Sequence, residues 1–328
     1  MKVVVLKERE IRSLVTPAAA LEAVRDAFVR LARGQAVLPG VINLDLSHAR
    51  GEVHVKGAHL LGTPFFSIKE AAGFYDNPGR GLPLGSGLIL VFDAATGFLR
   101  AILFDNAFLT ELRTASAGAL AADLLARPRI QRAAMIGCGS QARYQLESLL
   151  LVRRPSRVAV WSRRPEAAQA YAREMEARHG LEVAAASSAR EAVEGAELIV
   201  TVTPSREPIV DASWVAPGAH VTAVGSDGPD KIELDPALLA RADKVVADRL
   251  DQCLRLGEIH HAVERGLLTP DGVHAELGEI AAGDKPGRTR DDEITVADLT
   301  GVGVQDAAVS NLVVAEAQRR GVGAEIEI

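Results

Sequence analysis

Gly137, Gly139 and Ala142, in the run Arg132-Ala-Ala-Met-Ile-Gly-Cys-Gly-Ser-Gln-Ala142, have the G-x-G-x-x-A spacing of a dinucleotide loop. Gly137 allows a tight turn, Gly139 lets backbone approach a pyrophosphate, and Ala142 keeps the next helix close to its sheet. Ser140 and Gln141 open that helix, whose free backbone N–H groups favour an anion. Three further residues are candidates for chemistry. Lys69 follows the apolar run Phe65-Phe-Ser-Ile68, where a strand-end lysine ordinarily stands in solvent. Arg113 sits among small, mostly apolar residues at the start of a helix, where it could clamp a carboxylate or form a structural ion pair. Asp227 lies just past an apolar strand; it could hold an amine or act as acid/base, although aspartate is also common in turns such as the one at Gly228-Pro229. Cys138 and Cys253 read as space-fillers. His260-His261 lack a second ligand pair at metal spacing, so no metal is expected.

The elements that must position these residues follow from periodicity. The predicted class is α/β: a Rossmann-type doubly wound parallel sheet plus an α+β substrate and dimerisation domain. Strand candidates 132–136, 157–161, 181–185, 197–203, 220–225 and 244–247 alternate with helices, the pattern of a parallel sheet. Ligands of such sheets lie beyond the carboxyl ends of the strands, at the loops 137–142, 203–205 and 225–228. Ahead of them, Thr16-Pro17 reads as an N-cap and first helical residue, with Leu21, Val24, Phe28 and Leu31 on one face and Gly34 as the stop. Strands at 41–46, 51–60, 65–69, 87–93 and 98–105 suggest an antiparallel sheet, and a helix runs from about 109 to 126. The expected domains are 1–128, joined by a C-terminal helix at 304–328, and 129–303.

Composition bounds the function. The 328 residues are 48% hydrophobic and 24% charged, with a formal net charge of −6. That argues against a general nucleic-acid or anionic-membrane partner. Two cysteines make no disulfide framework, and no apolar run is long enough to span a membrane, so a cytoplasmic protein is expected. The second strand of the nucleotide unit ends in Ser162-Arg163-Arg164, with no carboxylate for the ribose hydroxyls. A 2′-phosphate is welcomed there, so NADP(H) is expected to be preferred, with NAD(H) also compatible.

Four motifs stand in order: Leu112-Arg-Thr-Ala-Ser-Ala117, Gly137-Cys-Gly-Ser-Gln-Ala-Arg143, Val224-Gly-Ser-Asp-Gly-Pro-Asp-Lys-Ile-Glu-Leu234 and Leu299-Thr-Gly-Val-Gly-Val-Gln-Asp306. With them the chain resembles the ornithine cyclodeaminase/mu-crystallin family over nearly its whole length. Ile68-Lys-Glu-Ala-Ala-Gly-Phe-Tyr-Asp-Asn-Pro78 is a looser match to the branch that accompanies ectoine breakdown. The resemblance implies a nicotinamide-dependent oxidoreductase that interconverts an amino acid and its imine, and a homodimer. It implies that Lys69 and Arg113 bind the substrate carboxylate, and that Asp227, with Lys69, is catalytic. Gly139–Ala142, Thr203, Val224, Gly225, Ser226, Lys231 and Thr300 would face the cofactor. The sequence departs from the family's ornithine cyclodeaminases twice. Leu38-Pro-Gly-Val-Ile-Asn43 lacks their carboxylate-binding arginine, and His54 falls near a glutamate linked to cyclodeamination; Lys56 would supply the missing positive charge. The alternatives are a cyclodeaminase that recycles its cofactor, and a mu-crystallin-like binding protein.

Overall fold

A computed structural model describes residues 2–327, which form two compact units. One unit runs to Arg113 and resumes at Val302; the other is Thr114–Gly301. The division falls inside the helix at 108–125, whereas the expected boundary lay at its end, at 128.

The first unit is built on β1 (Lys2–Lys7), α1 (Glu8–Leu14), α2 (Pro17–Ala32), β2 (Ala36–Val37), β3 (Ile42–Leu46), β4 (Gly51–Leu60), β5 (Phe65–Phe74), β6 (Gly85–Asp93), β7 (Leu99–Phe104), the start of α3 (Phe108–Leu125), α11 (Gly303–Arg320) and β18 (Ala324–Glu327). Thr16 caps α2 by accepting from the Ala19 N–H at 3.2 Å, and Leu21, Val24, Phe28 and Leu31 are buried. Gly34 follows the helix at φ +68°. The sheet order is β18-β1-β7-β6-β5-β4-β2, with β3 also on β4. It is mixed rather than antiparallel, because β1 inserts beside β7 in parallel. β6 and β7 are therefore interior strands.

Strand alternation gives this sheet two unlike faces. One carries Ala58, Leu60, Ile89, Val91, Ala101 and Leu103, all buried. α11 packs on β4, β5 and α2. A Cβ at Gly303 would collide with the Gly57 carbonyl, so helix and sheet approach closely only because that residue is glycine. The other face carries Ile42, Leu44, Ile68 and Phe104, exposed by 38–59%, and the stacked rings of Phe66 and Phe92.

The second unit contains β8 (Arg132–Ile136), α4 (Ser140–Leu149), β9 (Arg157–Trp161), α5 (Pro165–His179), β10 (Glu182–Ala185), α6 (Ala189–Val193), β11 (Leu198–Thr201), β12 (Arg206–Val210), β13 (His220–Ala223), β14 (Ile232–Leu234), α7 (Pro236–Arg241), β15 (Lys244–Ala247), α8 (Leu250–Cys253), α9 (Gly257–Glu264), β16 (Ala275–Glu276), α10 (Leu277–Ala281) and β17 (Thr295–Asp298). Its sheet is parallel throughout, in the order β10-β9-β8-β11-β13-β17-β15-β16. The order reverses between β8 and β11, the switch point at which doubly wound sheets bind ligands. Strands β11, β13, β15 and β17 are wholly buried, which is why they read as near-continuous apolar runs. The short pair β12–β14 forms a separate two-stranded sheet that periodicity did not reveal. Among the described residues, no helix is long and apolar enough to cross a membrane.

Candidate active site

In the first unit, β4 and β5 pair so that Lys56 stands directly opposite Lys69. Like charges at such a position repel, so the pair requires an anion. α11 supplies it. The carboxylate of Asp306 lies 3.4 Å from Lys69 Nζ and accepts from Arg113 Nε at 3.0 Å. Arg113 Nη1 donates to Gln305 Oε1 at 2.7 Å. Lys69, Arg113, Asp306 and Gln305 are all 5% exposed or less, and Lys56 is 9% exposed. Lys69 is thus not a strand-end lysine in solvent: β5 continues to Phe74, and the residue sits in mid-strand.

The electrostatics follow from burial. Lys69 is pulled down to about 7 by desolvation, partly offset by Asp306 and reinforced by the charges of Arg113 and Lys56. Burial pushes Asp105 up to about 6. Asp306 is also desolvated, yet Arg113, Lys69 and Lys56 together hold it below the ordinary carboxylate range. Three cationic side chains share the firmly ionised carboxylate of Asp306, and the Asp105 carboxyl also feels the Lys69 charge. The cluster has positive charge to spare and can take a second carboxylate in bidentate fashion on Arg113.

In the second unit the loop after β8 has the geometry its glycines demand. Gly137 adopts φ +113°, and a Cβ there would lie 2.9 Å from the Val202 carbonyl. Gly139 is the N-cap of α4 with no side-chain cap, and nothing lies within 4 Å of where its Cβ would be. The first N–H groups of α4 therefore face an open cradle that a side chain would fill. Arg143 Nη1 donates to the carbonyls of Cys138 and Gly139 at 2.8 and 3.0 Å, tying down the loop's oxygens. Ser140 and Gln141 open α4, and Ala142 is wholly buried, with its carbonyl accepting from Tyr171 Oη at 3.0 Å. Thr203 follows β11, and its Oγ1 is buried without a hydrogen-bond partner. These features fit a nicotinamide dinucleotide.

Val224, Gly225 and Ser226 follow β13. Ser226 Oγ donates to the Lys231 carbonyl, and Lys231 Nζ pairs with Asp227 Oδ1 at 2.7 Å. The proposed acid/base and a proposed cofactor contact thus meet as an ion pair, with Asp227 42% exposed. The Thr300 hydroxyl is engaged by Asp248 at 3.0 Å and Gln252 at 2.8 Å, so it braces its own turn. Ser162 and the exposed Arg163 and Arg164 stand between β9 and α5, and no carboxylate precedes Glu166. His260, His261 and Glu264 offer ligand atoms within 4.8 Å of one another, but His261 Nε2 bonds the Lys231 carbonyl and His260 Nδ1 that of Leu254.

Sequence reasoning missed Asp306, Gln305, Asp105 and Glu233. The first two and Glu233 end motifs already singled out, so the signal was present without a partner to give it meaning. Asp105 had no signal in the sequence.

The model of the ornithine cyclodeaminase/mu-crystallin family matches residues 1–321. The chain belongs to that family. Within the cyclodeaminase/mu-crystallin family it is 45% identical to an uncharacterised cyclodeaminase of Sinorhizobium fredii, over 98% of each chain. It is similar to the structure of an archaeal alanine dehydrogenase dimer with bound NAD, at 37% identity and TM-score 0.93, covering all of both chains. It is also similar to the Thermococcus litoralis Δ1-pyrroline-2-carboxylate reductase in complex with NADH and L-proline, at 31% identity and TM-score 0.94, covering 99% of this chain and all of the other.

Proposed function

We propose that this protein is a nicotinamide-dependent oxidoreductase that interconverts an amino acid and its imine. The observation that carries the reading is the buried cluster of Lys56, Lys69 and Arg113 around the carboxylate of Asp306. It suits the α-carboxylate common to alanine, proline and their imines, and two family members of similar structure are an alanine dehydrogenase and a pyrroline-2-carboxylate reductase.

Arg113 and Lys69 hold the substrate carboxylate and fix the orientation of the α-carbon; such orientation supplies roughly 7–11 kcal/mol of a barrier. A nicotinamide, when bound, supplies or accepts the hydride. Gly137, Gly139 and the N–H groups of Ser140–Ala142 hold its pyrophosphate, and Thr203, the Val224–Ser226 loop, Lys231 and Thr300 form its other contacts or brace them. Asp227, paired with Lys231, stabilises the proton on the substrate nitrogen or delivers it. Lys69, held at about 7, can also carry a proton at neutral pH. Ser162, Arg163 and Arg164 favour a ribose 2′-phosphate, so NADP(H) is preferred over NAD(H).

The enzyme is a cytoplasmic homodimer. Its free cysteines suit a reducing compartment, and the exposed apolar sheet face with Ile42, Leu44, Ile68 and Phe104 pairs with that of a second copy. A monomer by light scattering at micromolar concentration overturns this assembly.

The test of activity is a panel of imines formed from 2-oxo acids and amines, together with pyrroline-2-carboxylate, followed by nicotinamide absorbance. Oxidation of the reduced cofactor with at least one imine is expected. Release of ammonia from a diamino acid with no net cofactor turnover would show a cyclodeaminase instead. Binding of cofactor and imine without either reaction would show a binding protein.

A further inference from the structure

One buried carboxylate ties together the ends of two neighbouring strands in the second unit. Glu233, on β14, is fully buried. Its Oε2 accepts from Thr201 Oγ1 at 2.7 Å and from the Gly225 N–H at 2.8 Å; its Oε1 accepts from the Thr203 N–H at 2.6 Å. Thr201 and Thr203 belong to the end of β11 and Gly225 to the end of β13, and these strands are adjacent and parallel. The fit is close: a Cβ on Gly225 would overlap the Thr203 backbone and lie 2.7 Å from Glu233 Cδ. Glu233 is itself fixed, since its N–H donates to Glu258 Oε1 at 2.8 Å.

Three donors face this carboxylate, two of them backbone N–H groups that cannot accept, so a glutamine would set its own N–H against that of Thr203 or of Gly225. Burying the charge is unfavourable, and apolar packing would hold two strands more cheaply. What the carboxylate adds is a defined shape for two loops. That shape leaves Thr203 with its N–H held and its Oγ1 buried and unpartnered. The sheet order locates what those loops face. A dinucleotide lies across the reversal between β8 and β11, one mononucleotide on each side. The glycine loop and the end of β9 belong to the adenosine half, and the ends of β11 and β13 to the nicotinamide half.

Resting on the cofactor reading above, we infer that Glu233 is a positioning residue for the nicotinamide of the cofactor: it clamps the two loops so that Thr203 Oγ1 is presented to the nicotinamide itself, not to its ribose. Glu233 does not touch the reacting atoms.

The experiment compares the full-length wild type with Glu233→Gln, Glu233→Asp and Thr203→Val. Each is titrated calorimetrically with NADPH, with NADH and with ADP-ribose, which lacks the nicotinamide, and each is melted. Glu233→Gln is expected to weaken both reduced cofactors by about tenfold or more, the scale of a lost charge-assisted hydrogen bond, and to leave ADP-ribose within about twofold. Glu233→Asp, which keeps the charge, recovers part of that loss. Thr203→Val keeps the backbone contact to Glu233; it is expected to weaken the reduced cofactors several-fold with Tm unchanged. Should Glu233→Gln fail to fold, Thr203→Val decides alone. Equal losses for ADP-ribose and the reduced cofactors, or no loss in Thr203→Val, overturns the inference. A wild type that binds neither ADP-ribose nor either cofactor instead overturns the cofactor reading itself.

Discussion

The two candidate anion sites, one in each unit, are built by opposite means. The second unit uses backbone: Gly137 at positive φ, the open space over Gly139 and the uncapped start of α4. The first uses side chains brought from β4, β5, α3 and α11, with three cations gathered on the carboxylate of Asp306. A backbone site depends on the absence of side chains and barely titrates. A side-chain site depends on a few long residues, is strongly coupled and responds to pH.

The largest effect that sharpens this contrast is Arg113→Ala. It removes the proposed bidentate contact to the substrate carboxylate and leaves Asp306 less well compensated. Loss of such a buried partner costs about 2–5 kcal/mol, thirtyfold or more in kcat/KM, while cofactor affinity stays nearly unchanged. Wild-type-like kinetics would place the carboxylate elsewhere. Gly137→Ala is the matching break in the backbone site. The left-handed conformation and the approach to Val202 together cost roughly 1–3 kcal/mol. Cofactor affinity should fall about tenfold or more, with binding of a 2-oxo acid inhibitor preserved; equal loss of both would show that the variant merely unfolds.

pH separates the sites next. Lys69 is a base held at about 7, against 10.5 for an ordinary lysine. It is cationic below about 7 and loses its charge above, so inhibition by a simple carboxylate should weaken above pH 7, by up to about tenfold per unit. ADP-ribose binding should stay flat over the same range. The unfolded chain keeps this lysine protonated up to about 10.5, so it binds more protons than the folded state between the two values. The contribution of Lys69 to stability therefore improves as pH rises through that window, and its cost is greatest below it. A carboxylate affinity independent of pH from about 6 to 9 would remove Lys69 from the site. The smallest effect is expected from Arg163→Ala, an exposed residue: the preference for NADPH over NADH should fall by about threefold to tenfold, read from the two Michaelis constants. An NADH preference in the wild type, untouched by the substitution, would show that these arginines do not read the phosphate.

The same contrast explains what could be read from the sequence. The backbone site is local, within six residues, and its strand-turn-helix context is periodic; β8, β9 and β15 fall where their sequences put them. The side-chain site is assembled over the length of the chain. Nothing near Lys69 announces that β5 runs on through Glu70-Ala-Ala-Gly-Phe74, because the alternation there is lost to small residues. Nothing near Arg113 names Asp306. Residue type and position made Lys69 and Arg113 candidates, the resemblance gave them a carboxylate to bind, and only the fold supplied the anion between them. The parallel insertion of β1 beside β7 was hidden for a similar reason: Lys2–Lys7 has no local signal of its partner, and its place depends on a strand far along the chain.

The return of α11 to the first unit has a consequence for biosynthesis. Arg113 leaves the ribosome 193 residues before Asp306, Lys69 237 and Lys56 250. At about 5–20 residues per second, the three cations wait roughly 10–50 s for their counter-ion, while the intervening unit has its whole sequence available to fold. A nascent chain can thus acquire its nucleotide fold long before its carboxylate pocket, and a message cut short before residue 302 would yield a polypeptide with the former and no means of completing the latter.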